Sequence, residues 1–166
     1  TDNTLTAALA TIKENNDIQF IWQTGKYYYP QVTEALRAAG ELPNLYVTDF
    51  IKDMAAAYAA SDLVISRAGA GSISEFCLLH KPVVLVPSPN VAEDHQTKNA
   101  LALVDKQAAI YVKDSEAEAK LMDVALNTVA DDRKLKELSE NIAKLALPDS
   151  ARIIAQEVIK LAEAEN

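Results

Sequence analysis

Residues 61–100 read SDLVISRAGAGSISEFCLLHKPVVLVPSPNVAEDHQTKNA. Two short apolar runs in this stretch, Leu63-Val64-Ile65 and Val83-Val84-Leu85-Val86, have the length and β-branching of buried parallel strands. Each is followed by a loop and then a helical pattern. The first loop carries Gly69 and Gly71 and leads into a helix expected over 72–79. The second carries Pro87 and Pro89 and leads into a helix expected over 93–105, which bears His95, Gln96 and Asn99. Ligands of an open α/β sheet sit beyond the carboxyl ends of its strands, so both loops are expected to face one ligand.

The same alternation continues outward. Upstream, Leu5, Ala8, Leu9 and Ile12 fall at helical spacing, giving a helix over 5–14. A strand over 18–22 follows, then a turn at Thr24-Gly25 and a helix over 26–39 with Pro30 early in it and Gly40 as its C-cap. Next come a strand over 45–47, a loop over 49–53 and a helix over 54–60. Downstream lie a short strand over 108–112, a helix from Asp114 or Ser115 to about 129, and a helix over 131–145. A terminal helix over 151–164 carries the apolar stripe Ile153, Ile154, Val158 and Leu161. The alternation predicts an α/β fold, a doubly wound parallel sheet with helices on both faces, and right-handed crossovers put the loops along one edge. Such a fold usually opens with a strand whose loop cradles phosphate. This chain opens with a helix, so its first strand is expected upstream of Thr1.

At 166 residues the chain is expected to be one domain, 1–166, large enough for its own core. A net charge of −8 argues against nucleic acid as a partner, since phosphate backbones need clustered Lys and Arg. It argues equally against this domain docking by itself on an anionic bilayer. One cysteine, Cys77, allows no internal disulfide and fits a reducing compartment. Two His and one Cys far apart give no zinc spacing, and no apolar run is long enough to span a bilayer. No signal peptide is visible. Thr1 is not an initiator Met, which fits a processed or truncated piece of something longer.

Several residues could carry chemistry. Arg67-Ala68-Gly69-Ala70-Gly71-Ser72 offers small residues before a helix start, where free N–H groups suit phosphate, and reads equally as a tight turn. Ser72-Ile73-Ser74-Glu75 matches a capping box, so Glu75 either caps its own helix or accepts hydrogen bonds from ligand hydroxyls such as a ribose diol. Gln96 and Asn99, at i and i+3, share a face. Their amides suit sugar hydroxyls or form a polar, solvated first turn. His95 has no Ser or Cys nucleophile arrangement beside it, and His80 reads as a helix C-cap. Tyr27-Tyr28-Tyr29 reads as core packing or an interface.

Taken in order, Ile21-Trp22-Gln23-Thr24-Gly25-Lys26, Phe50-Ile51-Lys52-Asp53-Met54-Ala55, residues 61–70, Ser74-Glu75, residues 82–87 and Asp94-His95-Gln96-Thr97-Lys98-Asn99-Ala100 closely resemble the MurG glycosyltransferases of peptidoglycan synthesis. The resemblance covers nearly the whole chain and matches the C-terminal, donor-binding half of a GT-B enzyme built from two Rossmann-like domains. It implies a hexosyltransferase that moves GlcNAc from UDP-GlcNAc to the MurNAc C4 hydroxyl of lipid I, forming lipid II with inversion and without a required metal or other cofactor. The resemblance further implies that the backbone of Ile51 reads uracil and that Met54 packs near the base. Ala70, Gly71, Ser72, Ile73 and Ser74 would line the nucleotide and sugar, Glu75 would bind the ribose, and Gln96 and Asn99 would hold GlcNAc hydroxyls. His95 falls where other members often have Gln.

The family's Gly-Gly-Ser phosphate loop is expected just before Thr1. The absent N-terminal domain is expected to supply the acceptor site, the base and the membrane contact, so no catalytic residue is expected here. The implied setting is peripheral, on the cytoplasmic face of the bacterial inner membrane, in cell-wall biogenesis, cell shape and division. Two other readings stay open: a related UDP-sugar enzyme such as a UDP-GlcNAc 2-epimerase, and a non-catalytic Rossmann-like binding module.

Overall fold

A computed structural model describes residues 2–89, 94–149, 153, 155, 156 and 158–160. Their elements run α1 (Asp2–Glu14), β1 (Phe20–Gln23), α2 (Gly25–Ala39), β2 (Leu45–Thr48), α3 (Met54–Ala60), β3 (Val64–Ser66), α4 (Ala70–Leu79), β4 (Val83–Leu85), α5 (His95–Val104), β5 (Ile110–Tyr111), α6 (Asp114–Val129) and α7 (Asp132–Ala143). The strand–helix alternation expected from periodicity is present, and every strand pairing is parallel. The pairings are β1–β2 and β3–β4–β5. Residue contacts divide the chain into two compact units, residues 1–61 with 115–126, and residues 62–114 with 127–166.

In the first unit, Phe20 pairs with Leu45 and Gln23 with Thr48. Helices α1 and α2 pack together, burying Leu9, Ile12 and Val32. Gly25 opens α2 at φ 74, a left-handed backbone that explains a glycine immediately beyond β1. Gly40 ends α2 as expected, its N–H donating to the Leu36 carbonyl. The helix starts at Gly25, so Pro30 lies beyond the first turn, where proline does remove a helical hydrogen bond.

Asn44 is the polar centre of this unit. It is buried, and its Nδ2 donates to the carbonyls of Ile12 (2.9 Å), Asn15 (3.1 Å) and Ile18 (3.1 Å), while its own carbonyl accepts from Phe20 N at 2.8 Å. One amide thus joins the end of α1, the connection to β1 and the start of β2.

In the second unit, β4 is central, and Val83, Val84 and Leu85 are fully buried. Among the described residues β3 lies at the edge of this sheet, and Ile65 remains 44% exposed, so of the two strands expected to be buried only β4 is fully so. Helix α4 packs on α7, which buries Leu138 and Ile142. Ser139 Oγ donates to the His80 carbonyl (2.8 Å) and Asn141 Nδ2 to the Gln107 carbonyl (3.1 Å). His80 is the C-cap of α4 at φ 54, as read from the sequence. Burial pushes the Cys77 thiol up, so this cysteine is an inert core residue.

Three expectations change. Helix α4 begins at Ala70 with Gly69 as its N-cap, two residues earlier than expected, because Gly69 is the last residue with extended backbone (φ −69, ψ 141). Ser72 is therefore inside the helix and the capping box does not form. Tyr27 and Tyr28 are exposed (86% and 58%), stacked edge to face on each other at 4.9 Å, and are not core. In the terminal helix, Ile153 and Val158 are exposed rather than packed, while Ile154 and Leu161 lie outside the residues whose side chains are described. Glu93, the expected start of the helix bearing Gln96, also lies outside the described residues.

Replacing Asn44 with Ala removes a side-chain donor from three carbonyls at once, two of which keep a backbone donor. Unfolding in urea is expected to show a loss of about 1–3 kcal/mol, the cost of leaving buried polar groups unsatisfied. A loss below about 0.5 kcal/mol would contradict this role.

Candidate functional site: two loops at strand carboxyl ends

The first site element follows β2. Thr48 Oγ1 accepts from Phe50 N (3.4 Å) and donates to the Phe50 carbonyl (3.1 Å). Ile51 N–H donates to Gln23 Oε1 at 2.8 Å, and Asp53 Oδ1 caps α3 by accepting from Ala56 N at 2.9 Å. A five-residue loop is thereby tied at three points. Beside it lies a cleft of about 610 Å³ lined by Ile21 and Tyr46 from the strands, Phe50, Ile51 and Lys52 from the loop, and the small face of α3 at Ala56, Ala57 and Ala60. Ile51 is therefore at the cleft, with its N–H already engaged. Its carbonyl has no hydrogen-bond partner among the described residues. Met54, the first residue of α3, is half-buried and does not line the cleft.

The second site element is the start of α4. Neither glycine there is demanded by the turn. Gly69 has ordinary φ, and a Cβ added to Gly69 or Gly71 would meet nothing within 4 Å. The absent side chains leave open space at these two positions, beside a helix start whose first N–H groups have no helical partners. Ser74 Oγ donates back to the Ala70 carbonyl (3.1 Å), which occupies its proton inside the helix, and Ile73 is half-buried. Glu75 is exposed and lies three and four residues beyond Ser72 and Gly71, on one helix face with them. It is the sixth residue of α4, too far in to cap its start.

The third element is the start of α5. Gln96 Oε1 accepts from Ala68 N (3.2 Å) and Ser88 N (2.9 Å), and Asn99 Nδ2 donates to the Ala68 carbonyl (3.2 Å). Both amides are half-buried, so the solvated-turn reading fails. They grip Ala68, a fully buried residue, by its N–H and its carbonyl. Arg67 adds a second clasp. Its Nη1 donates to the carbonyls of Val86 (3.1 Å) and Pro87 (3.3 Å) and pairs with Asp114 at the start of α6. Three strand ends of this unit are joined in this way. His95, next to Gln96, is exposed.

The second unit therefore brings together the α4 start, Gln96 and Asn99. Ile51 and Met54 belong to the first unit. Sequence reading missed the roles of Gln23, Arg67 and Asp114, whose partners lie 28, 19 and 47 residues away, beyond any local pattern. Among the described residues, no cluster of His, Cys, Asp and Glu is arranged to hold a metal ion, and no helix is long and apolar enough to cross a membrane.

Chemically, a helix start suits an anion, and a carboxylate and side-chain amides suit hydroxyl groups. Over 165 residues the chain is 99% identical to the UDP-N-acetylglucosamine--N-acetylmuramyl-(pentapeptide) pyrophosphoryl-undecaprenol N-acetylglucosamine transferase of Bacteroides thetaiotaomicron, matching 99% of this chain and 44% of that protein. It is 78% identical over 162 residues to the protein of the same name from Bacteroides fragilis, covering 98% of this chain and 43% of that one. The chain thus spans less than half the length of these relatives. The crystal structure of Acinetobacter baumannii MurG matches 95% of this chain and 46% of its own, at 27% identity and a TM-score of 0.79. Residues 3–154 match the glycosyltransferase family 28 C-terminal domain, and the chain belongs to that family.

Proposed function

We propose that this chain is the donor-binding half of an inverting transferase that moves GlcNAc from UDP-GlcNAc to lipid I, giving lipid II for peptidoglycan. The observation that carries this reading is the start of α4 at Ala70, which places Glu75 inside the helix, one turn beyond its first N–H groups. The near-identity to a transferase of that name supplies the substrates.

In this reading the diphosphate meets the N–H groups of Ala70, Gly71 and Ser72 and the positive end of the α4 dipole. Glu75 accepts from the ribose hydroxyls. Gln96 has spent its oxygen on Ala68 and Ser88 and so offers a hydroxyl only its NH₂. Asn99 has given one N–H to Ala68 and keeps its oxygen to accept from a hydroxyl. Uracil lies at the Ile51 loop, held through the Ile51 carbonyl, with Met54 supporting the loop from the helix end.

As the acceptor hydroxyl attacks the anomeric carbon, the C–O bond to UDP breaks and negative charge grows on the departing phosphate, where a preorganised helix end is most effective. The base that takes the hydroxyl proton is assigned to the other half of the enzyme, together with the lipid I site and the membrane contact. The complete enzyme then works peripherally at the cytoplasmic face of the bacterial inner membrane. Transfer needs no metal, and activity that persists in EDTA checks this.

A doubly wound fold opens with a strand whose loop cradles phosphate. We assign the first strand, and the phosphate loop after it, to residues that precede Thr1 in the longer relatives. Extending the chain upstream by that strand is expected to raise its melting temperature; an unchanged value counts against the assignment.

Two outcomes test the function directly. In the full-length Bacteroides thetaiotaomicron relative, numbered as here, Glu75→Ala is expected to weaken UDP binding by about 1–3 kcal/mol in calorimetry, the worth of a charged hydrogen-bonding group. Unchanged affinity would remove Glu75 from the site. The 166-residue chain by itself is expected to turn over no lipid I, and detectable transfer would place the base within it.

A further inference from the structure

Helices α4 and α5 close in the same way. In each, the chain leaves through a left-handed residue that is not glycine, His80 at φ 54 after α4 and Gln107 at φ 53 after α5. His80 N–H donates to the Cys77 carbonyl and Lys81 N–H to that of Phe76; Gln107 N–H donates to the Val104 carbonyl and Ala108 N–H to that of Leu103. A left-handed backbone is unfavourable for a residue with a side chain. The carbonyls of these same two residues are both taken by α7. Ser139 Oγ donates to His80 (2.8 Å) and Asn141 Nδ2 to Gln107 (3.1 Å). Lys144 Nζ donates to Asn141 Oδ1 at 2.9 Å, which fixes the way that amide is turned. The neighbours Leu138 and Ile142 are buried and anchor this stretch of α7 in the core.

The two helices that α7 ties at their ends are the two whose starts carry the proposed donor contacts, and all three belong to one compact unit. Each of α4 and α5 is ten residues long, so a tie at the far end reaches the start through a rod of about 15 Å. We propose that Ser139 and Asn141 are positioning residues for the donor. From the edge opposite the ligand they set how far α4 and α5 lie along their own axes, and so the spacing between the α4 N–H groups and the α5 amides. Small displacements matter there, because hydrogen-bonding groups act only within a narrow range of geometry. The proposal rests on the reading of these helix starts as the diphosphate and sugar contacts. It also gives the two ties different consequences. The α4 start meets the part that UDP and UDP-GlcNAc share, whereas the α5 amides meet the sugar that only UDP-GlcNAc carries.

The test uses the full-length Bacteroides thetaiotaomicron relative, numbered as here, with calorimetric titration of UDP and UDP-GlcNAc and a melting temperature for every variant. Asn141→Ala frees the turn after α5 and is expected to raise the Kd for UDP-GlcNAc about threefold relative to that for UDP, the equivalent of part of one hydrogen bond. Ser139→Ala frees the turn after α4 and is expected to weaken both ligands about threefold, leaving their ratio unchanged. Ser139→Thr keeps the hydroxyl and is expected to bind both as the unaltered enzyme does. A tie that only stabilises the fold would lower the melting temperature without moving either affinity of the folded protein. That result, in Asn141→Ala and Ser139→Ala alike, overturns the proposal. Gln96→Ala serves as the control for the reading beneath it. If Gln96→Ala also leaves the ratio of the two Kd values unchanged, the sugar does not lie at α5, and the proposal falls with that assignment.

Discussion

The peptide of Ala68 is held on both sides by side chains. Gln96 takes its N–H and Asn99 takes its carbonyl, two residues one helical turn apart on α5 acting as a neighbouring strand would. Ala68 lies just beyond β3, is fully buried, and leads straight into the start of α4. Each of those backbone groups would cost about 1–3 kcal/mol if left unpaired. The clasp therefore fixes where α4 begins, and with it the direction of the N–H groups at the helix end. Arg67 repeats the theme one residue earlier by joining the ends of β3 and β4 to the start of α6. The open space at Gly69 and Gly71 is maintained because the backbone around it is tied from behind.

This arrangement gives Gln96 and Asn99 two duties. Their inward-facing atoms are structural, and what remains for a ligand is the NH₂ of Gln96 and the oxygen and second N–H of Asn99. A sugar hydroxyl both donates and accepts, so a donor from Gln96 and an acceptor from Asn99 still suit it. Loss of either side chain would alter the backbone site as well as the direct contact, so the two effects are inseparable in a single substitution.

Much of the fold was legible in the sequence because it is written in local periodicity. Helices α1, α2, α3 and α7 fall within a few residues of their expected bounds, and the caps at Gly40 and His80 are where the residue types put them. Local pattern misled at Ser72-x-x-Glu75, where a capping motif lies inside a helix started by the extended backbone of Gly69. It misled again at Tyr27 and Tyr28, since aromatic character alone does not say what covers a side chain. The site was legible only in part. Its residue types suggested phosphate and sugar chemistry, while the assignment of uracil, ribose and GlcNAc came from family resemblance. The bonds that position those residues, Gln23 to Ile51 and Gln96 to Ala68, each cross 28 residues of chain and leave no trace in spacing.

The proposed donor role stands or falls on whether the start of α4 and the α5 amides engage the UDP-sugar. Amide hydrogen exchange of the full-length Bacteroides thetaiotaomicron relative, with and without saturating UDP-GlcNAc, tests it most directly. Added protection is expected at residues 70–72. Protection confined to other segments, with these amides exchanging as fast as in the free enzyme, would contradict the account.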